Sequence, residues 1–417
     1  MAQFDSEQRT FVRGEGNYLF DSQDRRVFDA VSSIWTTIHG HCRPEIVEAI
    51  ARQAATLDHA TLLGASNPVA EELAARLTAM TGLDRVFFSS DGASAVEAAL
   101  KMALQYWQNE GQGTRTRFVR LIASYHGDTV GAMSVSDIAV FKERFGVLTF
   151  ESLPYEQARD VLDRPDVAAV IVEPIVQAAA GIRIVPSAAY VPLKQMAPLL
   201  IVDEIATGFG RTGTMFAFQQ LDLRPDIVCL GKGITGGALA LSATVASDRV
   251  YASFLGENAQ KKQFFHGHSY AGNPIACAAA LASLDIFEKD GTLAHVAKVA
   301  RKLSAQLLAL RAHPEVREVR QAGLMCAIEL HGPSTYEFAQ TREFNAQDDK
   351  GDVISGRHGS IRMTRVANQL YERGFFTRPI GNAIQLVPPL TSTPEELSAF
   401  VSALVNVLES EAMQAKT

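Results

Sequence analysis

The sequence predicts an α/β protein with a large domain, built on a doubly wound, mostly parallel sheet, and a smaller α+β domain formed from both termini. Short apolar runs bounded by glycine, such as Leu199–Val202 and Ile227–Leu230, are typical of strands that are buried on both faces. Strand and helix patterns alternate up to about residue 289, and a mixed tail follows. We therefore assign 46–289 to the large domain and divide the small domain between 1–45 and 290–417.

Length and composition fit a soluble enzyme. The 417 residues are enough for two domains and a large core, and the hydrophobic share of 47% is ordinary for a globular protein. The net charge of -7 is spread along the chain, which gives no reason to expect nucleic acid or an anionic membrane as a partner. The polar N-terminus lacks the apolar core of a signal peptide, and no apolar run approaches the roughly 20 residues of a membrane span. We expect a cytoplasmic protein.

The cysteines and histidines give no sign of a disulfide framework or a metal site. His266 and His268 have no third ligand at a suitable spacing, so we expect no bound metal. Widely separated cysteines without a CxxC pair fit a reducing compartment. The four cysteines are Cys42, Cys229, Cys277 and Cys326.

The N-terminal elements begin with a short hairpin over residues 13–29, which turns near residues 22–24. Residues 32–41 mix apolar and polar side chains, and we expect an irregular loop there. Two helices follow, from Pro44 to about Leu57 and from Pro68 to Met80, because proline is favoured in the first turn of a helix.

The first buried strand, Val86–Phe88, leads through the small residues of Ser89–Ser94 into a helix over Ala95–Gln108. A helix that begins after such a turn offers free backbone N–H groups to an anion. An ordinary capped helix without a ligand would show the same pattern. The motif is therefore a candidate phosphate site that needs support from elsewhere in the chain.

Three more strands complete the pattern of the large domain. The first ends just before Tyr125–Thr129, which puts an aromatic ring at a strand end, although core packing would also explain Tyr125. The second ends at Glu173-Pro174. These strands are Arg117–Ala123, Val167–Val172 and Ser242–Ala246.

The C-terminal part of the sequence predicts helices and strands on both sides of one polar stretch. Residues 334–361 are rich in glycine and aspartate, and we interpret them as an exposed insertion. The predicted helices are Ile275–Glu288, Thr292–Leu310, Thr364–Arg373 and Pro394–Glu411. The predicted strands are Val316–Val319, Gly323–Leu330, 375–379 and 383–387.

A carboxylate and an amine follow two successive apolar strands. Leu199–Val202 runs into Asp203, and Ile227–Leu230 runs into Lys232 between two glycines. In open α/β sheets ligands bind at the carboxyl ends of the strands. A partly desolvated lysine there has a lowered pKa and attacks carbonyls, and a carboxylate beside it can hold a protonated pyridine nitrogen. This pair is what a protein contributes to pyridoxal 5'-phosphate (PLP) chemistry, although singly each residue would suit a helix cap or a surface loop.

Several ordered stretches carry a resemblance to one known family. They are Leu104–Trp107, Tyr125–Thr129, Glu173–Gln177, Asp203–Gly213, Gly231–Gly237, Phe265–Pro274 and Thr377–Pro379. Over about Arg13 to Pro389 the chain resembles the class III aminotransferases, which are PLP-dependent enzymes of fold-type I. Within that class it is most similar to the branch that aminates 8-amino-7-oxononanoate in biotin synthesis.

The resemblance implies roles at the PLP ring. Lys232 resembles the lysine that binds the cofactor covalently and later moves the proton, and Asp203 resembles the carboxylate on the pyridine nitrogen. Ile205 is expected on one face of the ring and Tyr125 on the other.

The resemblance also implies a phosphate site that two subunits share. Gly92 and Ala93 resemble the backbone cradle of the phosphate, and His268 and Ser269 resemble residues that reach it from the partner subunit. We therefore expect a homodimer with shared active sites.

The substrate pocket is implied in the same way, with Arg378 gripping a substrate carboxylate in two parallel hydrogen bonds. The other residues expected at the substrate are Ile34, Trp35, Asp128, Arg211 and Gly267.

The chain departs from the family at three places, all of them in the substrate pocket. Residues 1–12 do not match the family's Trp-His-Pro segment, Ile34 stands where two consecutive tryptophans are common, and Gln385 replaces an aromatic residue. The amino donor, whether adenosylmethionine, lysine or another amine, stays open.

We expect transamination of 8-amino-7-oxononanoate to 7,8-diaminononanoate. The alternative within the class is another ω-amine or diamine aminotransferase of secondary metabolism. A dinucleotide-binding oxidoreductase is disfavoured because no GxGxxG follows the first strand. A PLP-fold protein without catalytic activity is disfavoured because a binder would not need both Lys232 and Asp203.

Overall fold

The computed structural model describes residues 9–155, 159–332 and 361–414. The predicted insertion at 334–361 lies outside these ranges except for its last residue. None of the helices in the described ranges is long and apolar enough to cross a membrane.

The strands fall into one large sheet and three small ones. Their bounds are β1 Phe11–Glu15, β2 Tyr18–Asp21, β3 Arg26–Asp29, β4 Arg85–Ser89, β5 Arg117–Leu121, β6 Leu153–Tyr155, β7 Val167–Val172, β8 Val176–Gln177, β9 Arg183–Ile184, β10 Leu199–Asp203, β11 Ile227–Leu230, β12 Ser242–Ala246, β13 Val316–Ala322, β14 Met325–Leu330, β15 Phe375–Phe376, β16 Pro379–Ile380 and β17 Ala383–Leu386.

Helices α4 to α7 lie between the strands from β4 to β7, and the other helices precede or follow the large sheet. Their bounds are α1 Ser32–Trp35, α2 Pro44–Thr56, α3 Pro68–Thr81, α4 Gly92–Asn109, α5 Val130–Ser134, α6 Ala139–Lys142, α7 Arg159–Leu162, α8 Asp248–Ala252, α9 Pro274–Lys289, α10 Thr292–Gln306, α11 Leu308–Arg311, and two further helices at Ile361–Glu372 and Pro394–Gln414.

The large sheet has seven strands in the order β4-β12-β11-β10-β7-β5-β6. Strand β10 pairs in parallel with both β11 and β7, and β12 is antiparallel to both of its neighbours. Every residue of β7, β10 and β11 is buried, as expected for central strands covered by helices on both faces. The predicted α/β fold with a mostly parallel sheet is confirmed, and the two strands that precede Asp203 and Lys232 are neighbours.

The smaller sheets join distant parts of the chain. Strands β1, β2, β3 and β15 form one sheet, in which Phe375 pairs with Phe28, so the N-terminal segment and a C-terminal strand share it. Strands β13, β14, β17 and β16 form another. This arrangement agrees with a small domain built from both termini, and the domain boundaries near residues 46 and 290 stay a prediction.

Two N-terminal predictions need correction. The hairpin over residues 13–29 is a three-stranded meander, because a second turn at Gly16 precedes the predicted one. The predicted turn at 22–24 is present, and the Asp21 carboxylate closes it by accepting hydrogen bonds from the Gln23 and Arg25 backbone at 2.9 Å each. The predicted loop at 32–41 contains the four-residue left-handed turn α1, whose hydrogen bonds are described below with the site.

The C-terminal predictions need two corrections. The strand predicted over 375–379 is divided between two sheets, since β15 ends at Phe376 and pairs with β3, whereas β16 begins at Pro379 and pairs with β17. The single helix predicted over 292–310 is divided in two, since α10 ends at Gln306 and α11 begins at Leu308.

Candidate active site

A cavity of about 440 Å³ lies where β7, β10 and β11 end. It therefore occupies the position at which open α/β sheets bind their ligands. Its lining residues are Trp35, Asp91, Gly92, Ala93, Tyr125, His126, Gly127, Asp128, Thr129, Glu173, Ala178, Ala179, Asp203, Ile205, Ala206 and Lys232.

Lys232 begins a short 3-10 turn directly after β11 and presents its amine to this cavity. Burial lowers the pKa of the amine, while the carboxylates of Asp203 and Glu173 act in the opposite direction. The Nζ atom lies 5.1 Å from the centre of the Trp35 ring. An amine whose pKa is lowered is neutral for more of the time at neutral pH, which makes it a nucleophile and a base.

Asp203 is the last residue of β10 and is 4% exposed. Its Oδ1 accepts a hydrogen bond from the Ile205 backbone at 3.0 Å, and its Oδ2 lies 2.7 Å from His126 Nδ1. The Ser136 hydroxyl accepts a hydrogen bond from the His126 backbone at 2.9 Å and so places the imidazole. Both carboxylate oxygens are thus held, which fixes the direction of a negative charge at the cavity wall.

His126 and Glu173 line the cavity, although no role was predicted for either residue from the sequence. The signal for Glu173 was present, because this residue ends a fully buried strand in the same way as Asp203. Its carboxylate accepts hydrogen bonds from the Tyr125 backbone at 3.0 Å and the Ala178 backbone at 3.2 Å, so it joins two walls of the cavity. Burial raises the pKa of Glu173 to about 7.

The N-terminus of α4 forms one wall. Asp91 caps the helix by accepting a hydrogen bond from the Ser94 backbone at 3.0 Å, and the N–H groups of Gly92 and Ala93 have no acceptor within the helix because they are its first residues. A Cβ atom at Gly92 would lie 2.9 Å from the Ile205 side chain. The small residue at this position therefore lets the helix end and the Ile205 side chain lie close together at the cavity wall.

Gly127 forms the facing part of the same wall. Its φ of +126° is one that residues with a Cβ rarely adopt, and a Cβ there would lie 2.6 Å from the Ala93 Cβ atom. The close approach of these two segments narrows the space in front of the helix end.

A second arm of about 340 Å³ continues from the first cavity. Trp35, Tyr125, Asp128, Ala179 and Lys232 line both. The second arm is also lined by Val31, Ile34, Phe141, Arg378, Ile380 and Gln385. A ligand in this arm would therefore meet the amine of Lys232 and the guanidinium of Arg378.

Aromatic rings and charged groups line the second arm. The rings of Tyr125 and Phe141 lie 5.4 Å apart. Burial, followed by the nearby Asp128 carboxylate, raises the pKa of Tyr125, so its hydroxyl stays protonated and can donate. Burial lowers the pKa of Arg378, which shows that its guanidinium is partly removed from water.

Trp35 reaches the cavity from a left-handed turn. The four residues of α1 have φ values between +47° and +67°, and none of them is glycine. A left-handed helical conformation costs roughly 1 kcal/mol or more for each such residue. Asp29 offsets part of this cost by accepting hydrogen bonds from the Val31 backbone at 3.2 Å and from the Ser33 hydroxyl at 3.1 Å.

The first residue of the turn is tied to the segment that follows β17. The Ser32 hydroxyl donates to the Val387 main-chain oxygen at 2.7 Å. The Trp35 backbone donates to the Val31 oxygen at 2.8 Å, which closes the turn itself. Bonds from both sides therefore hold a conformation that the sequence alone would not favour.

Four predicted site residues do not line either arm. Arg211 is fully buried and donates through Nη1 to the Pro388 oxygen, while its Nε and Nη2 have no hydrogen-bond partner among the described residues. Burial lowers its pKa to about 9. The remaining three are Gly267, His268 and Ser269.

His268 stays near the helix end without reaching the cavity. Its Nε2 lies 3.4 Å from the Ser90 hydroxyl, which is two residues before the first residue of α4. Its Nδ1 accepts a hydrogen bond from the Tyr270 backbone at 3.2 Å. The predicted contribution of His268 and Ser269 to a partner's site stays a prediction.

No group of three or more histidine, cysteine, aspartate or glutamate side chains within the described ranges could hold a metal ion.

Comparison with known proteins places this site in a family. The family model of the class III aminotransferases matches residues 2–408. Adenosylmethionine-8-amino-7-oxononanoate aminotransferases from Geobacter sulfurreducens and Aquifex aeolicus are each 39% identical to the chain; both alignments cover 96% of this chain, and they cover 92% and 91% of the two relatives.

Solved structures agree with this placement. The enzyme of the same name from Methanocaldococcus jannaschii has a TM-score of 0.87 at 38% identity, covering 97% of this chain and 94% of that chain. A PLP-bound amine transaminase from an uncultivated Pseudomonas species has a TM-score of 0.86 at 35% identity, covering 98% and 96%. With the strand-end amine and carboxylate in place, these matches show that the chain belongs to the class III aminotransferases.

Proposed function

We propose that the protein is a PLP-dependent aminotransferase that converts 8-amino-7-oxononanoate to 7,8-diaminononanoate. One observation carries the proposal beyond the family: Lys232 and Arg378 line the same arm of the cavity. A reacting amine and a carboxylate-binding guanidinium suit an acceptor that carries a ketone near one end and a carboxylate at the other. The names of the relatives from Geobacter sulfurreducens and Aquifex aeolicus support the choice of this acceptor.

The residues of the first cavity fit PLP. The free N–H groups at the start of α4 suit its phosphate, the held carboxylate of Asp203 suits its protonated pyridine nitrogen, and Lys232 suits its covalent attachment. Ile205 and Tyr125 line the space between and would pack against the ring. When bound, PLP supplies an electron sink for the carbon that carries the amino group.

Lys232 acts as the base of the reaction in this proposal. Burial favours its neutral amine, which can take a proton from the donor carbon and return it to the acceptor carbon. The contact between Asp203 Oδ2 and His126 Nδ1 holds the Asp203 carboxylate in place at the cavity wall.

The second arm orients the acceptor. Arg378 binds its carboxylate through two parallel hydrogen bonds, and the carboxylate of Asp128 provides a negative charge for its amino group. Tyr125 keeps its proton and donates toward Asp128, which holds that carboxylate at the cavity wall. The aromatic rings of Tyr125 and Phe141 flank the aliphatic chain of the acceptor.

A second candidate is a broader ω-amine aminotransferase. The structural match to the amine transaminase from the uncultivated Pseudomonas species favours it, since that relative differs in name from the others at similar identity. The departures at Ile34 and Gln385 lie in the arm that selects the substrate.

We propose a homodimer in which His268 and Ser269 serve the partner's site. Mixing Lys232→Ala subunits with Ser269→Ala subunits would then leave one site per heterodimer with both residues intact, and activity would return. Subunits that exchange without any return of activity, or an active monomer, would contradict the shared site.

A donor panel with 8-amino-7-oxononanoate as acceptor tests the substrate. We expect 7,8-diaminononanoate with at least one donor among adenosylmethionine, lysine and simple amines, detected by mass spectrometry of the product. The same donor should bleach the cofactor absorption of the native enzyme, which measures the first half of the reaction independently. Amination of simple aldehydes without any turnover of 8-amino-7-oxononanoate would favour the second candidate.

A further inference from the structure

Gln385 connects two sides of the second arm. Its side chain is 3% exposed, and the residue lines the arm between Trp35 and Arg378. Gln385 Oε1 accepts a hydrogen bond from Trp35 Nε1 at 2.9 Å, and its Nε2 donates to the main-chain oxygen of Arg378 at 2.8 Å. An amide can serve both partners at once because it carries an acceptor and a donor side by side.

The bond to Trp35 has a local reason. The indole belongs to the left-handed turn, and its N–H would be a buried donor without this acceptor. A buried donor left without a partner is unfavourable, so the Gln385 amide selects the orientation in which the ring faces Lys232.

The bond to Arg378 also has a local reason. Arg378 immediately precedes β16, which has two residues and begins with Pro379. Proline has no N–H group to donate, so this short strand is weakly fastened at the end where Arg378 lies. The Gln385 amide and the Thr377 hydroxyl, which donates to the main-chain oxygen of Gln385 at 2.6 Å, tie that end to β17.

We propose that Gln385 is a positioning residue that sets the distance between the Lys232 end and the Arg378 end of the arm, and hence the length of the carboxylate-bearing substrate. The inference rests on the proposed function, which assigns Arg378 to the substrate carboxylate. Gln385 does not itself act on the substrate; it fixes Trp35 on one side and the Arg378 backbone on the other.

The first test measures the environment of the Trp35 indole by fluorescence and needs no turnover. The chain has 2 tryptophans, so Trp107→Phe leaves Trp35 as the sole indole fluorophore. In that background Gln385→Met should shift the emission and raise acrylamide quenching at least about twofold, because the indole loses its acceptor. Gln321→Met is the matched control. Gln321 lies on β13, donates a hydrogen bond to the Ala300 main-chain oxygen at 2.9 Å and lines neither arm.

The second test measures how KM depends on the chain length of the substrate. Across a series of oxo acids of increasing chain length, the native enzyme should show one preferred length. Gln385→Met should raise KM at that length roughly tenfold, flatten the preference and leave kcat within about threefold, because it removes the hydrogen bonds to both Trp35 and Arg378. Gln385→Glu keeps the acceptor for Trp35 and loses the donor for Arg378, so it should retain the Trp35 emission while KM still rises.

The two tests separate the possible failures. If the native enzyme prefers one length and Gln385→Met keeps both that preference and its KM, the inference falls and the proposed function stands. If the native enzyme aminates no oxo acid, the proposed function falls, and unchanged quenching in Gln385→Met then overturns the link to Trp35 as well. A combined Trp35→Phe and Gln385→Met variant should raise KM by less than the product of the single effects, because both changes remove the same bond.

Discussion

The two arms of the cavity are built in different ways. The first arm draws Asp203, Glu173 and Lys232 from the ends of three adjacent, fully buried strands, so sheet hydrogen bonding fixes their spacing. The second arm draws Trp35 and Arg378 from segments far apart in the chain, and the amide of Gln385 joins them. The groups that perform the general chemistry therefore lie on the rigid edge of the sheet, whereas the groups that select the substrate lie where separate segments of the chain meet.

The largest expected effect concerns the first arm. Lys232→Ala should reduce turnover at least about a thousandfold with every donor and acceptor, because it removes the nucleophile and base of the reaction. The melting temperature should not fall, since the change removes a desolvated amine rather than core volume. Lys194→Ala is the control, because Lys194 pairs with Asp222 on the surface at 3.3 Å. Substantial activity in Lys232→Ala would contradict the assignment.

Asp203→Asn should have the next largest effect, a loss of roughly a hundredfold or more in kcat/KM for all substrates. The amide can still accept from the Ile205 backbone, so the fold is kept, but the negative charge at the cavity wall is gone. Steady-state kinetics with two unrelated donors checks that the loss does not depend on the substrate. A loss confined to one donor would show that Asp203 acts on the substrate instead.

Changes in the second arm should be smaller and selective. Arg378→Ala should lower kcat/KM roughly ten- to a hundredfold for 8-amino-7-oxononanoate, the value of a charge-assisted pair of hydrogen bonds. Arg378→Lys should not restore it, because the fork geometry of the guanidinium is lost. An aldehyde without a carboxylate should be affected far less, and an equal loss for both substrates would mean that Arg378 is structural.

The smallest predicted effect is a change in the free energy of unfolding with pH. It comes from Glu204, the residue that follows Asp203. Glu204 is fully buried; its carboxylate accepts hydrogen bonds from the Thr207 hydroxyl and the Phe218 backbone at 2.7 Å each. Burial raises its pKa from 4.5 to about 7. The folded state therefore holds a proton that the unfolded state releases, and this contribution is full below pH 4.5 and lost as the pH rises through about 7.

Glu204→Gln removes this titration. Relative to the native protein, the variant should become more stable between pH 5 and pH 8, by roughly 3 kcal/mol at most. Thermal unfolding of both proteins across this range measures the difference. A difference in melting temperature that is constant with pH would show that folding does not raise the pKa of Glu204.

The same contrast explains how much the sequence could predict. Asp203 and Lys232 were identifiable because each follows a short apolar run, and the structure confirms that these strands are neighbours. Glu173 carried the same signal in a third strand but was not assigned. His126 could not be identified in this way, because its contact with Asp203 depends on how the loop after β5 packs against the end of β10, 77 positions further along the chain.

The second arm was less accessible to sequence reasoning. The region of α1 was predicted to be irregular, because no local propensity favours four consecutive left-handed residues without glycine. The bond between Trp35 and Gln385 joins residues 350 positions apart, and no local pattern reports a contact of that kind. Gln385 was therefore visible only as a departure from the family.

Chemical mapping of the attached cofactor tests whether Lys232 is the residue that binds PLP. After the protein is loaded with PLP, borohydride reduction should fix the pyridoxyl group, and peptide mapping by mass spectrometry should find it on Lys232. Lys101 and Lys194 are the internal comparison, since Lys101 lies outside both arms with its Nζ 2.9 Å from His266 and Lys194 lies on the surface. A pyridoxyl group on Lys232 alone is the predicted result, and one on Lys101 or Lys194 with Lys232 unmodified would contradict the account.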